Sequence, residues 1–198
     1  MFTFARYNFV LLTLLITSFH TQATPLPVAH TEYSAIRHIE MAEGNIVQTV
    51  HHSFGKERVE STMEGMSMVM ITRPDKKLAW QIMPMNNMYM EVSTAQANEA
   101  PGKVPDNITI EKVGTEHVEG VETTKYKMLM KDKSAGGFLW LTKEHIPIKM
   151  DFLSKEGKEK SRIKMTLKQL DVDKQDQRLF ELPSGFSKMP SMGGLIPR

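Results

Sequence analysis

Hydrophobic and polar residues alternate with a period of two along most of this chain, and turn residues punctuate the alternation. That is the pattern of antiparallel sheet, in which successive side chains point to opposite faces. It predicts strands at about 33–41, 45–54, 56–63, 66–73, 77–83 and 87–92, then at about 108–117, 121–131, 137–142, 146–154 and 159–170. Two late strands alternate most cleanly. Ile146, Ile148, Met150 and Phe152 share a face opposite Pro147, Lys149 and Asp151, and Ile163, Met165 and Leu167 share a face opposite Arg162, Lys164, Thr166 and Lys168. One dry and one wet face per strand is what a single curved sheet over a core requires. Arg73-Pro74-Asp75-Lys76 suits a tight turn, with Pro presetting φ. Glu156-Gly157-Lys158 and residues 132–137 read as hairpin ends, with Gly136-Gly137 as turn residues.

The alternation fails at both ends and once in the middle. Residues 1–23 carry Arg6, the apolar run from Phe9 to Ile16, and Thr21-Gln22-Ala23, the three parts of a cleaved secretory signal. The run is too short to span a bilayer, so no integral membrane protein is expected. Residues 24–31, with Pro25 and Pro27, form an extended lead-in. Ser93 and Gln96 make a capping box for a short helix over Thr94–Ala100, stopped by Pro101-Gly102 and followed by a loop to Asn107. Residues 187–198, rich in Gly, Pro and Ser, are placed outside the fold. The expectation is one mainly β domain at 32–186, exported to a bacterial periplasm.

Charge narrows the partners. Lys and Arg number 25 against 23 Asp and Glu, a net charge of +2, which argues against nucleic acid and against a polybasic membrane-surface role. The absence of Cys removes a disulfide framework, a thiolate zinc site, a Cys nucleophile and a lipidated N-terminal Cys. Other constellations are incomplete. His51 and His52 are adjacent and face opposite ways on a strand. Glu116-His117 and Glu144-His145 lack the i, i+4 spacing of a zinc protease, and Asp171–Asp176 lacks the Gly and distal Glu of a calcium loop. No nucleophile elbow or phosphate-cradling Gly loop occurs, so neither an enzyme nor a cofactor is expected.

The unusual residue is Met, present 16 times. Met66, Met68 and Met70 alternate, as do Met83 and Met85, Met88 and Met90, and Met128 and Met130 with Tyr126 on their face. Three readings fit. Met fills gaps in a core; it lines a pocket that must adapt to a floppy chain; or its soft thioethers hold Cu(I). Successive same-face residues on one strand lie about 6–7 Å apart, so a copper site needs thioethers from a second strand.

Several runs occur in a telling order. Ile71-Thr72-Arg73-Pro74-Asp75-Lys76-Lys77 precedes Met88-Tyr89-Met90; residues 113–126 lead to Gly137-Phe138-Leu139-Trp140-Leu141; Ile146-Pro147-Ile148-Lys149 and Phe180-Glu181-Leu182-Pro183-Ser184-Gly185-Phe186 follow. That order, over about residues 33–186, resembles the LolA/LolB-like superfamily of periplasmic lipoprotein carriers, closest to a secreted branch of it. The resemblance implies an unclosed half-barrel, a curved antiparallel sheet whose apolar concavity is covered by one or a few short helices. It also implies a lipid or a lipid-modified polypeptide as partner. The single short polar helix and the missing lipobox Cys depart from the carriers, and no functional residue is carried over. The apolar lining expected on this basis is Met66, Met68, Met70, Trp80, Met83, Met88, Met90, Met128, Met130 and Trp140. A module that senses envelope state by binding a protein is the alternative, and a Cu(I)-binding protein the third.

Overall fold

The computed structural model describes residues 26–63, 65–93, 107–157 and 159–189. The expected signal at 1–23, the helix at 94–100 with its following loop to residue 106, and the tail from residue 190 lie outside these residues.

The strands are β1 (Glu32–Met41), β2 (Gly44–Ser53), β3 (Lys56–Met63), β4 (Met66–Arg73), β5 (Leu78–Met83), β6 (Met88–Ser93), β7 (Ile108–Val118), β8 (Val121–Met130), β9 (Ala135–Leu141), β10 (Pro147–Glu156), β11 (Glu159–Asp171) and β12 (Ser187–Lys188). They form one 12-stranded sheet in the order β12-β6-β5-β4-β3-β2-β1-β11-β10-β9-β8-β7, and the sheet does not close. Two meanders, β1–β6 and β7–β11, are therefore joined side by side along an antiparallel seam between β1 and β11. Among the described residues no helix is long and apolar enough to cross a membrane.

Local chemistry sets the registers. The β4–β5 and β5–β6 hairpins are built alike: a Pro opens a 3-10 turn, Pro74–Lys76 or Pro84–Asn86, and a left-handed residue ends it, Lys77 at φ 55° or Asn87 at φ 49°. Each loop places the residue before the Pro level with the residue after the left-handed position, Arg73 with Leu78 and Met83 with Met88. Gly136-Gly137, expected in a turn, instead lies inside β9. A Cβ at Gly137 would sit 2.0 Å from the Asp151 carbonyl oxygen, so the backbones of β9 and β10 approach too closely there for any side chain.

Opposed residues in an antiparallel ladder share a face, so the registers sort the side chains into two layers. One layer carries Tyr33, Val50, Glu57 and Met70 from the first meander and Leu139, Met150 and Met165 from the second. This is the inner face. Glu57 on β3 and Leu139 on β9 are five strand spacings apart, about 24 Å along a flat sheet, yet both line one cavity of about 230 Å³. Only a sheet curled toward that face brings them together. The lead-in Leu26–Ala29 closes this end of the trough, with Ala29 buried among Tyr33, Ala35, Val50, Ile148 and Leu167.

The outer face of the first meander is sealed differently. After β11 the chain crosses it as a strap. The Gln175 N–H donates to Glu32 and its side chain bonds His51, Gln177 donates to Ser53 Oγ and accepts from Lys56, and Arg58 and Arg73 donate to the carbonyls of Leu179 and Phe180. The Phe180 ring is fully buried with Val69, Ile71, Trp80 and Ile82, a burial of about 2–3 kcal/mol. The strap ends as β12, parallel to β6, with the N–H of Met189 donating to Tyr89 O. Residues 187–189, expected beyond the fold, are thus part of the sheet edge.

Candidate functional site: the inner face of the half-barrel

The inner face runs from a closed end to an open one. Tyr33, His52, Thr72 and Leu141 stand near the lead-in. At the opposite end of the sheet, on these and the neighbouring strands, stand Ile46, Met66, Met83, Met88, Phe152 and Met130. Met68 precedes Met70 on this face, Met70 pairs with Gln81, and Gln81 with Met90, while Met83 pairs with Met88. Met128 and Met130 lie opposite Ile110 and Ile108, and Met150 opposite Met165. The eight methionines expected as lining, Met66, Met68, Met70, Met83, Met88, Met90, Met128 and Met130, therefore all project from one surface. Met66 is 59% exposed and Met68 39%.

The two tryptophans do not join them. Trp80 pairs with Ile71 and Glu91 and is buried beneath the strap on the outer face, where its indole N–H donates to Glu91. Trp140 pairs with Lys125 and Lys149, whose ammonium groups lie 4.8 and 4.6 Å from its ring, and donates to Glu116 Oε2 at 2.7 Å. Both were expected in the concavity because a large apolar side chain looks the same from either side of a sheet. The register puts them outside.

Polar residues of the inner face escaped the sequence reading. Arg37, between Ala35 and Ile39 on β1, grips Glu57 of β3 with two hydrogen bonds of 3.3 and 3.1 Å. Tyr33 stacks on His52 at 4.9 Å between ring centroids. Burial, reinforced by the nearby Glu57 charge, pushes the Tyr33 phenol well above its ordinary pKa, so the hydroxyl keeps its proton. His52 accepts the Gly55 N–H at Nε2, which fixes the tautomer that donates from Nδ1 to Thr31 O. Its burial lowers the imidazole pKa and keeps the ring neutral. The signal for this cluster was an Arg at an apolar-parity position of β1. His51 faces the other way and meets Gln175 of the strap.

Among the described residues no group of three or more His, Cys, Asp or Glu side chains is placed to hold a metal. The thioethers are better placed for a soft ion than one strand allows, since cross-strand neighbours such as Met83 and Met88 have Cβ atoms about 5 Å apart.

An open, curved antiparallel sheet with a Met-rich inner face defines this protein as a half-barrel, the architecture that the LolA/LolB resemblance implies. Similar solved structures include an uncharacterized conserved protein from Thermus thermophilus, at 13% identity and TM-score 0.56, covering 81% of this chain and 90% of that one. The MucA/MucB complex of Pseudomonas aeruginosa contains a chain that matches at 13% identity and TM-score 0.57. It covers 79% of this chain, which spans only 57% of that chain's length. At such identities the likeness is one of fold. The chain belongs to the family described as a domain of unknown function, DUF4412, which matches residues 37–153. No curated protein matches it in sequence.

Proposed function

We propose that this protein is a periplasmic, non-catalytic binding or carrier protein for a lipid or a lipid-modified polypeptide, held against the Met-rich inner face. The observation that carries this reading is the gathering of eight predicted methionines on one concave surface, with Met66 and Met68 left exposed. Shielding acyl chains is worth about 0.8 kcal/mol per CH₂, so the tail supplies affinity without specific contacts. A surface that receives and releases such a tail benefits from side chains that re-pack, and Met has three rotatable bonds and a polarizable sulfur. Exported Met at these positions is open to oxidation, a cost that a purely structural lining avoids by burial.

Mass measurement of the periplasmic protein under native conditions, followed by extraction, tests the reading. A near-stoichiometric bound lipid is the expected result, and Met68→Asp should release it while the fold survives. A bare, folded protein would overturn it. The fold shared with a MucA/MucB complex then favours a protein partner, sought by pull-down from envelope extract. Saturable stoichiometric Ag(I) binding would instead support the thioether site.

A further inference from the structure

Arg37 is out of place on the inner face. Its same-face neighbours on β1 are Ala35 and Ile39, and across the ladders it stands level with Leu167 on β11 and Gln48 on β2. Its Nε is shut off from water and has no hydrogen-bond partner. A buried donor left unpaired costs more than a hydrogen bond returns, and a guanidinium has no neutral form to retreat to. Yet the pair is reachable, since the Arg37 side chain is 19% exposed and that of Glu57 30%. Glu57 also lines the cavity under the lead-in, whose other walls are largely Leu26–Ala29, Leu139 and Leu141. The pair thus sits between a closed end of limited volume and the methionines of the open end.

The charge balance selects the ligand. Glu57 engages both terminal nitrogens of Arg37, so the guanidinium is already neutralised. A carboxylate or phosphate arriving there would meet the Glu57 charge as well as the Arg37 one. An uncharged acceptor would take the second N–H of a terminal nitrogen, which the Glu57 bonds leave unused, without that repulsion. We propose that Arg37, held by Glu57, anchors the ester or amide carbonyl of an acylated ligand whose chain runs along the inner face toward Met68, Met83 and Met88. This rests on the carrier reading and names the part of the ligand that is recognised.

Displacement of the fluorescent apolar probe N-phenyl-1-naphthylamine from the purified protein tests it, with 1-octadecene, methyl oleate, N-methyloleamide and oleate as competitors. Methyl oleate and the amide should compete about tenfold better than the carbonyl-free octadecene, one charged-donor hydrogen bond's worth. Whichever of the two is stronger assigns the carbonyl to an ester-linked lipid or to an N-acylated chain. Arg37→Met should erase the advantage while octadecene still competes. Glu57→Gln, which leaves the guanidinium uncompensated, should move the preference to oleate, and this variant keeps the question answerable if Arg37→Met does not fold. An unchanged ester-to-octadecene ratio in Arg37→Met, or a wild-type preference for oleate, overturns the anchor and leaves the carrier reading standing. Failure of every competitor, octadecene included, overturns the carrier reading and the anchor with it.

Discussion

The outer and inner faces of the first meander meet opposite demands with different amino acids. Outward from β4 and β5 point Val69, Ile71, Trp80 and Ile82, and the strap adds Phe180; Ile71 and Phe180 are wholly buried. Inward from the same strands point Met66, Met68, Met70 and Met83, with no strap over them among the described residues. Branched and aromatic side chains have few rotamers and fix one packing, whereas Met re-packs. The strand thus carries a permanent core on one side and an adjustable surface on the other. The second meander shows a third solution. Its outer face has no strap among the described residues, and the stems of Lys125 and Lys149 cover Trp140 while Glu116 takes the indole N–H and a lysine.

Cutting into the sealed face should produce the largest effect. Phe180→Ala is expected to cost about 3–5 kcal/mol, against less than about 1 kcal/mol for Met68→Ala, measured by urea unfolding. Equal costs would mean that the inner methionines are core after all. A smaller loss should follow from Arg73→Met. Arg73 is nearly buried and donates to Phe180 O, to Asp75 and, at 2.5 Å, to Glu181, so its loss should cost about 2 kcal/mol. Amide exchange should then quicken at Leu179 and Ser187, in the strap, ahead of β1 and β2.

The smallest effects separate the faces by acid range. His52, inside, has a folded pKa lowered by burial below its ordinary 6.5. As pH falls through 6.5 the unfolded chain takes a proton that the folded one refuses, so stability declines from there down to the lowered value and then levels off. Asp75, outside, is drawn from 3.8 to about 2 by its hydrogen bond from Arg73. Its contribution is complete above 3.8 and is lost as pH falls toward 2. Its carboxylate is half exposed, so that limb should be shallow. Urea midpoints between about pH 8 and pH 2 should fall in two ranges, the first removed by His52→Gln and the second only reduced by Asp75→Asn, because hydrogen bonds to Glu181, Asp151 and Glu116 hold those carboxyls low as well.

The strands were legible because alternation is a local property. All eleven strands expected from it are present, and they meet in a sheet that stays open, as the family resemblance implied. β12 was missed because two residues cannot show a period; backbone pairing to β6 holds them. Facing was not legible strand by strand, since it depends on register. The loops did contain it. Four residues separate Arg73 from Leu78, which pairs odd positions of β4 with even positions of β5 and sends Trp80 to the side away from Met70. The Arg37–Glu57 pair bridges β1 and β3 across β2, a relation that no single-strand pattern carries.

The seam between the meanders has a consequence for how the molecule comes into being. Within each meander every strand pairs with the one just made, so each hairpin closes on a timescale of about microseconds. β1, the first strand formed, pairs Glu40 with Lys164 and must wait for β11. Closing so long a loop makes that step the slow one. Any half-sheet that forms before the seam has a bare edge at β1 or β11 and an inner face open to water. Such an edge invites pairing with a second chain, so refolding yield is expected to fall as protein concentration rises.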